Sequence, residues 1–242
     1  MTDADLFLGR VISDGGRVTL ALSSREIWVI EKKLCERSQP TTQQDIADNL
    51  GVPFAAAKFL CHRQGNPRNK AFMRIYLQIP IHGTQYQSSQ IRRKQAAKPQ
   101  AHAELTTLKI FKKMGCDVVP DLLAYQERKQ GEDSIVPGGY ITYVVWDKVP
   151  GEPLSADEFW ELDLESCKAI RDKFPEFFSI RKLKKYGYLP RMPTKSKIIF
   201  DKATRDMHFS GFSRAGHTDT NEEWHDKYWV LFDLAEPPPE TD

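Results

Sequence analysis

The segment from Arg191 to Ala215 restricts the fold of this chain more than any other part of the sequence. Two apolar runs, Lys197–Phe200 and Met207–Phe212, flank a polar stretch at Asp201–Asp206. Apolar and β-branched side chains pack well on a pleated surface, and aspartate tolerates the backbone geometry of turns. The segment therefore predicts a β-hairpin in which the aspartates form the turn and have no catalytic role.

Strand and helix patterns alternate along the chain before this hairpin. Residues of the segment Ala71–Pro80 alternate between two faces, with Met73 and Ile75 on one of them, as in a strand. The order of such segments predicts an α+β protein. The predicted elements are a strand at Ala71–Pro80, a helix at Ala101–Met114, strands at Asp121–Arg128 and Tyr140–Val149, and helices at Ser155–Leu162 and Asp163–Tyr186.

The first seventy residues predict a short hairpin followed by helices. Residues 1–22 combine glycine with β-forming residues around a turn at Asp14–Gly16. A glycine-rich phosphate loop is the alternative, although the GxGxxG spacing is absent. Ser23 then begins a capping-box pattern, and apolar residues at helical spacing predict a helix to about Arg37. A second helix is predicted at Gln43–Leu50.

Residues 41–60 also resemble a helix-turn-helix. Ala47 and Gly51 are small, as a tight helix crossing requires. The second helix, at residues 54–59, carries few side chains that can read base edges, so a buried helical hairpin explains the pattern equally well. Nucleic-acid binding through this pair of helices is therefore only an alternative function.

Composition limits the class of protein. The 242 residues are 40% hydrophobic and 28% charged with a net charge of +2, which is typical of a globular protein and favours no nucleic-acid partner. No apolar run is long enough to cross a bilayer, and the N-terminus lacks the basic region of a signal peptide. We therefore expect a cytoplasmic or nuclear protein without a membrane partner. Its four scattered cysteines favour reduced thiols: Cys35, Cys61, Cys116 and Cys167.

Several segments resemble the kinase-like, aminoglycoside-phosphotransferase-like proteins of filamentous fungi. The resemblance runs from about Phe72 to Ala215, and the VPGG, VVW and VPG sequences within residues 136–151 are its most specific part. It implies a protein-kinase-like two-lobed fold, with a small mixed N-lobe and a truncated helical C-lobe. The segments are FMRIYLQIP (72–80), HAEL (102–105), VVPDLLAY (118–125), VPGGYITYVVWDKVPGEPL (136–154), DEFWEL (157–162) and IIFDKATRDMHFSGFSRA (198–215).

The resemblance implies a nucleotide or ligand pocket. Arg74 would take the place of the strand lysine that neutralises nucleotide phosphates, and Glu104 that of the helical glutamate that holds this lysine. Arginine keeps the charge, but its planar fork is bulkier than an ammonium, and an ion pair without a ligand is the alternative. The segment Val145–Asp147 would form the hinge between the lobes. The implied pocket residues are Arg74, Glu104, Val145, Trp146, Asp147 and Phe212.

The same resemblance locates the catalytic and metal-binding positions, where this chain departs from the family. Met192 falls at the position of the catalytic aspartate, Lys197 at that of the metal-binding asparagine, and Gly211 at that of the metal-binding aspartate. Methionine, lysine and glycine side chains can neither deprotonate a hydroxyl in this role nor coordinate Mg²⁺. We therefore expect no catalytic residue and no metal site in the hairpin.

The sequence thus predicts a degenerate, pseudokinase-like protein that acts as a binding or regulatory module. The alternative is a divergent phosphotransferase that uses ATP and takes its carboxylates from Asp233 or Glu222–Glu223. No cofactor is assigned, ATP without Mg²⁺ being one candidate, and a protein is one candidate partner. The predicted domains are an N-terminal extension (1–70), an N-lobe (71–149), a C-lobe (150–235) and a flexible tail (236–242).

Overall fold

The computed structural model describes residues 12–21, 25–154, 156–178, 188–190, 195–217 and 225–236. The chain divides into two compact units: unit 1 comprises Met1–Ala101 and Leu122–Lys148, and unit 2 comprises His102–Asp121 and Val149–Asp242. Unit 1 is built on one antiparallel sheet, whereas unit 2 combines helices with short strands, so the predicted α+β class is confirmed. The predicted domains and the two-lobed arrangement stay predictions.

A six-stranded antiparallel sheet forms the framework of unit 1, with strand order β1-β2-β3-β4-β6-β5. The predicted alternation in β4 is confirmed, because Met73 and Ile75 are fully buried in the core while Phe72 and Arg74 lie on the opposite face. The strands are β1 (Arg17–Ala21), β2 (Arg25–Gln39), β3 (Phe54–Arg63), β4 (Lys70–Gln78), β5 (Leu122–Lys129) and β6 (Tyr140–Asp147).

The helix predicted at residues 23–37 is wrong, because its described part forms most of β2. Trp28 and Ile30 are buried and follow the two-residue period of a strand, whereas Leu34, which the helical pattern placed inside, is 43% exposed. Two register shifts interrupt the pairing of β2 with β3. Such bulges break the strict alternation of a strand, which explains why the apolar spacing looked helical.

The helix-turn-helix interpretation of residues 41–60 is also wrong. Its first helix exists in a shorter form as α1 (Gln43–Ala47), capped by Thr42. Its second helix is strand β3, where Ala55 and Ala57 are buried between less buried neighbours. A run of alanines has no period of its own, so pairing with the adjacent strands decides its structure. Nucleic-acid binding through a helix pair is therefore excluded at these residues.

The turn predicted at Asp14–Gly16 is present, with the N–H of Gly16 donating to the carbonyl of Ser13 (2.9 Å). Strand β1 follows the turn and pairs with β2. The first arm of the predicted hairpin, residues 1–11, lies outside the described residues. The hairpin is therefore confirmed only at its turn.

Side chains join the outer strands β1 and β5. Gln126 donates a hydrogen bond from Nε2 to the carbonyl of Ala21 (2.9 Å) and accepts one from the N–H of the same residue (3.1 Å). Arg128 donates to the carbonyl of Thr19 (2.9 Å). These bonds use backbone groups of β1 that an edge strand leaves unpaired, so they protect this edge of the sheet.

The polar composition of residues 82–98 predicts an exposed, mobile loop. They are largely exposed but include a short helix, α2 (Ser89–Arg93), and buried Gln78 ties the segment to the sheet. Gln78 donates to the carbonyl of Gln95 (2.7 Å) and accepts from the N–H of Ala97 (3.0 Å). Mobility of this loop stays a prediction.

Unit 2 combines helices with a three-stranded sheet, in the order β10-β9-β7, and a two-stranded sheet of β8 and β11. The predicted late hairpin is confirmed, because Met207 of β10 pairs with Phe200 of β9. The carboxylate of Asp201 accepts a backbone hydrogen bond within the turn, as expected of a turn former. The elements are α3 (Ala103–Lys113), β7 (Glu152–Pro153), α4 (Ala156–Glu161), α5 (Leu164–Phe178), β8 (Tyr188–Pro190), β9 (Ile198–Phe200), β10 (Met207–Phe209), β11 (Ala215–His217) and α6 (Lys227–Leu231).

Aromatic side chains form much of the core of unit 2. The ring of Phe174 in α5 lies 5.9 Å from that of Phe209 and 5.1 Å from that of Phe232. Helix α5 contains Pro175, a residue type that can kink or interrupt a helix, and continues to Phe178. No helix of the described part of the chain is long and apolar enough to span a membrane.

Candidate functional site

Lys197 and Gly211 lie against each other in unit 2. Lys197 ends a 3₁₀ turn that leads into β9, and its carbonyl accepts a hydrogen bond from the N–H of Ser210 (2.8 Å). Gly211 has a φ of +81°, a conformation that L side chains rarely adopt. A Cβ atom at this position would lie 2.5 Å from Cδ and 2.8 Å from Nζ of Lys197. The backbone conformation therefore favours glycine here, and the flexible side chain of Lys197 would have to shift to admit a Cβ.

The contact brings together two of the three degenerate positions identified from the sequence. The side chain of Lys197 occupies the volume into which a side chain at position 211 would extend. An ammonium donates three hydrogen bonds and accepts none, so this pair cannot supply the oxygen ligands that Mg²⁺ requires. Within the described ranges, no three His, Cys, Asp or Glu side chains are grouped as metal ligands.

Of the other candidate catalytic residues, the structure describes only Asp233. Met192 and Glu222–Glu223 fall outside the described residues. Asp233 is exposed in the turn after α6, where its φ is +63° and its N–H donates to the carbonyl of Val230 (2.9 Å). Asp233 therefore has a local role in ending the helix.

In unit 1, the expected pocket residues Arg74 and Trp146 belong to a cationic and aromatic cluster. The guanidinium carbon of Arg74 lies 5.6 Å from the centre of the Trp146 ring, and that ring lies 6.1 Å from Phe72. Lys58, the register partner of Arg74 on β3, places Nζ 3.8 Å from the centre of the Phe72 ring. Two cations thus lie close to aromatic rings at neighbouring positions, an arrangement that stabilises each charge.

The predicted hinge residues differ in their surroundings. Val145 is fully buried in the core of unit 1 and pairs with Met73 on one side and Ala124 on the other. Asp147 ends β6 and pairs with Ala71. The side chain of Val145 therefore faces the opposite side of the sheet from Arg74.

The remaining expected pocket residues belong to unit 2. Glu104 is buried in the first turn of α3. Phe212 is buried as well, and its ring packs edge-on against that of Phe111 at 5.1 Å. The pairing of Glu104 with Arg74, which lies in unit 1, stays a prediction, and so does the complete pocket.

Sequence reasoning missed the cluster of Glu31, His62 and Lys70 on β2, β3 and β4. The carboxylate oxygen Oε1 of Glu31 bonds with Nδ1 of His62 (2.5 Å) and with the ammonium of Lys70. The pKa of Glu31 is lowered chiefly by the hydrogen bond from Lys70, while burial acts in the opposite direction and His62 lowers it further. Glu31 lies at a register shift of β2, so no sequence period could have indicated its partners.

The cluster of Lys58, Phe72, Arg74 and Trp146 was missed in part. The sequence indicated that Phe72 and Arg74 share a face of one strand, but Lys58 was assigned to a helix. Its position over Phe72 depends on the pairing of β3 with β4. Cross-strand register is a property of the folded sheet, so only a correct strand prediction for residues 54–63 could have found it.

Comparisons with known proteins give little further information. No family model and no curated protein matches the chain. Among solved structures, it is similar to the PK-1 kinase of Cydia pomonella granulovirus, with a TM-score of 0.46 and 12% sequence identity. The match covers 78% of this chain and 52% of the viral kinase, so the chain spans about half of its length. A structural similarity this low gives no information about activity.

Proposed function

We propose that this protein is a kinase-like module of the pseudokinase type, which binds a ligand or a protein partner and does not transfer phosphate. The observation that carries the proposal is the contact between Lys197 and Gly211. By resemblance to the fungal phosphotransferase-like proteins, these two positions correspond to ligands of the catalytic Mg²⁺. In this chain they provide an ammonium and no carboxylate.

Electrostatics opposes a divalent cation at this place. At an effective dielectric constant of about 20, an ammonium and a divalent cation about 4 Å apart repel each other by about 8 kcal/mol. Oxygen ligands normally offset such costs in Mg²⁺ sites, but neither Lys197 nor Gly211 carries an oxygen in its side chain. The ammonium would instead offset the charge of an anionic ligand, and ATP without Mg²⁺ is one candidate.

The kinase-like fold and an intracellular location are parts of the same proposal. Strand β4 with its arginine, helix α3 with its glutamate, strands β5 and β6, helices α4 and α5, and the hairpin β9–β10 follow one another as the resemblance implies. This order of elements supports the kinase-like fold, for which the resemblance implies two lobes and a pocket that includes Arg74 and Glu104. The location would be cytoplasmic or nuclear.

A thermal-shift titration of the full chain with ATP, in Mg²⁺ and in EDTA, tests the absence of phosphate transfer. We expect the unfolding temperature in ATP to be the same with and without Mg²⁺, and ATP to remain intact. Mg²⁺-dependent stabilisation accompanied by ATP turnover would contradict the proposal and favour the divergent phosphotransferase. The assay needs no knowledge of the natural partner.

Restoring the three side chains tests the assignment of the positions. The variant Met192→Asp/Lys197→Asn/Gly211→Asp removes the ammonium and supplies oxygen ligands, so it should bind Mn²⁺ more tightly than the original chain by at least about tenfold. Paramagnetic relaxation of water protons measures this binding. The control variant, Lys168→Asn on the exposed side of α5, changes the net charge without supplying a site and should not bind Mn²⁺. Equal Mn²⁺ binding by both variants would refute the assignment.

A further inference from the structure

An exposed apolar surface lies at the turn between α4 and α5 in unit 2. Leu164 is 89% exposed and Trp160 is 45% exposed, and they lie on either side of this turn. A single exposed apolar side chain is ordinary, whereas several in one place mark an interaction surface. Tryptophan is also among the residues that contribute most to the affinity of protein interfaces. We call residues 160–165 the α4–α5 surface.

Hydrogen bonds fix the backbone that exposes Leu164. The carboxylate of Asp163 accepts from the N–H of Ser166 (2.8 Å) at one oxygen and from the Ser166 hydroxyl (2.8 Å) at the other. The thiol of Cys167 donates to the carbonyl of Phe159 (3.2 Å), which joins α5 to α4 across the turn. A partner would therefore meet an ordered turn, which lowers the entropy cost of binding.

The indole of Trp160 is held in place from inside unit 2. It packs edge-on against the fully buried ring of Phe159, with 5.1 Å between the ring centres. The guanidinium carbon of Arg171 lies 5.7 Å from the centre of the indole, and Nε of Arg171 donates to the carbonyl of Leu234 (2.7 Å). The exposed part of Trp160 thus belongs to a side chain whose position is already set before any partner binds.

Carboxylates accompany the apolar side chains of the α4–α5 surface. Glu161, Asp163 and Glu165 are exposed, and residues 160–165 contain no cation. Asp163 caps α5, whereas neither Glu161 nor Glu165 forms an ion pair with any described residue. Their negative charge repels nucleic-acid phosphates and anionic lipid headgroups, and it attracts lysine and arginine side chains.

We propose that the α4–α5 surface binds a basic amphipathic helix of a partner protein. The apolar face of that helix would pack on Trp160 and Leu164, and its cations would pair with Glu161 and Glu165. The described residues of this surface form helices and a turn, so they offer no strand edge to an extended peptide. This binding would not depend on whether the protein transfers phosphate.

Fluorescence anisotropy with the full chain tests the class of partner. The probe is a labelled peptide of about fourteen leucines and lysines, spaced so that the leucines form one face of a helix. One comparison peptide has the same composition with the leucines distributed around the helix, and the other has glutamate in place of lysine. We expect the probe to bind about tenfold more tightly than either. No binding of the probe, or equal binding of either comparison peptide, would overturn the proposal.

Variants of the α4–α5 surface locate the binding. Leu164→Ala and Trp160→Ala should each weaken probe binding about tenfold, as truncation of a central interface residue does. The double variant Glu161→Gln/Glu165→Gln should weaken it about fivefold, because exposed ion pairs contribute less. Leu164→Ala removes only exposed atoms, so circular dichroism should show an unchanged fold. Unchanged affinity in Leu164→Ala would refute the site, whatever the other variants show.

Two controls and one further measurement complete the test. Leu50→Ala changes a 64% exposed apolar residue of unit 1, and Glu127→Gln an exposed carboxylate of β5, so neither should alter probe binding. Sedimentation of the chain without peptide should show no dimer that depends on Leu164. A dimer that Leu164→Ala dissociates would assign the α4–α5 surface to a second copy of the chain and overturn the proposal.

Discussion

At the scale of single residues, Gly211 and Lys197 constrain each other. Gly211→Ala should lower the free energy of unfolding by about 1–2 kcal/mol, because alanine is strained at positive φ and the Lys197 side chain must shift to admit its Cβ. In a Lys197→Ala background the collision disappears, and the same change should cost only about 1 kcal/mol. Urea denaturation of the four chains gives the coupling energy. A coupling near zero would contradict this constraint and show that the lysine side chain moves aside at no cost.

The cluster around Glu31 makes a separate prediction about pH. Its pKa in the folded chain lies below the ordinary value of 4.5, so its contribution to stability is complete above that pH and is lost as the pH falls through the folded-state pKa. Glu31→Gln should therefore cost about 1 kcal/mol at pH 7 and progressively less as the pH falls below 4.5. Urea denaturation as a function of pH measures this difference. The control Glu127→Gln, on the exposed part of β5, should give no pH-dependent difference, and a Glu31→Gln curve of the same shape as the control would contradict the role of Glu31.

At the scale of elements, the sequence predicts most strands and helices after residue 70 but not the pairing that decides the first part. Ala71–Pro80 has a clear two-residue period on a buried face, and Ala101–Met114 has a helical one, so both predictions agree with β4 and α3. Strand β2 carries bulges, and β3 begins with alanines, so neither has a clear period. Their structure depends on partners distant in sequence, which local patterns do not contain.

The candidate site was predictable only in part for the same reason. The resemblance placed Lys197 and Gly211 on one hairpin, so their proximity could be predicted. The position of Lys58 over Phe72 could not, since it required β3 to be recognised as a strand. Local turn chemistry is encoded within a few residues, whereas cross-strand contacts depend on the register of the whole sheet.

The hydrogen bonds between Gln126 and Ala21, which join β5 to β1, also concern the scale of elements. Gln126→Ala removes both hydrogen bonds to Ala21 and should cost about 1 kcal/mol, since the bonds are exposed to solvent. Amide hydrogen exchange should increase at Ala21. Gln126→Glu keeps an acceptor for the Ala21 N–H and loses the donor. The exchange rate at Ala21 in this variant should therefore lie between those of the original chain and Gln126→Ala. Unchanged exchange at Ala21 in Gln126→Ala would show that the strand edges are held by other contacts.

At the scale of the whole molecule, each unit has its own buried core, and this makes a prediction about cooperativity. Phe174 is fully buried in unit 2, where its ring contacts those of Phe209 and Phe232. Phe174→Ala should cost about 3–5 kcal/mol through lost burial and the cavity that remains. If the units unfold separately, hydrogen exchange should accelerate at α5 and β10 and stay slow in β3 and β4.

The control for this experiment is Leu164→Ala, because Leu164 is 89% exposed at the start of α5 and should leave exchange unchanged in both units. Equal acceleration in the two units after Phe174→Ala would mean that the chain unfolds as one cooperative body. The result bears on the proposed regulatory function. A partner can open unit 2 alone only if unit 1 stays folded while unit 2 unfolds. Separate unfolding would make such a response physically available, and joint unfolding would require the partner to act on the intact chain.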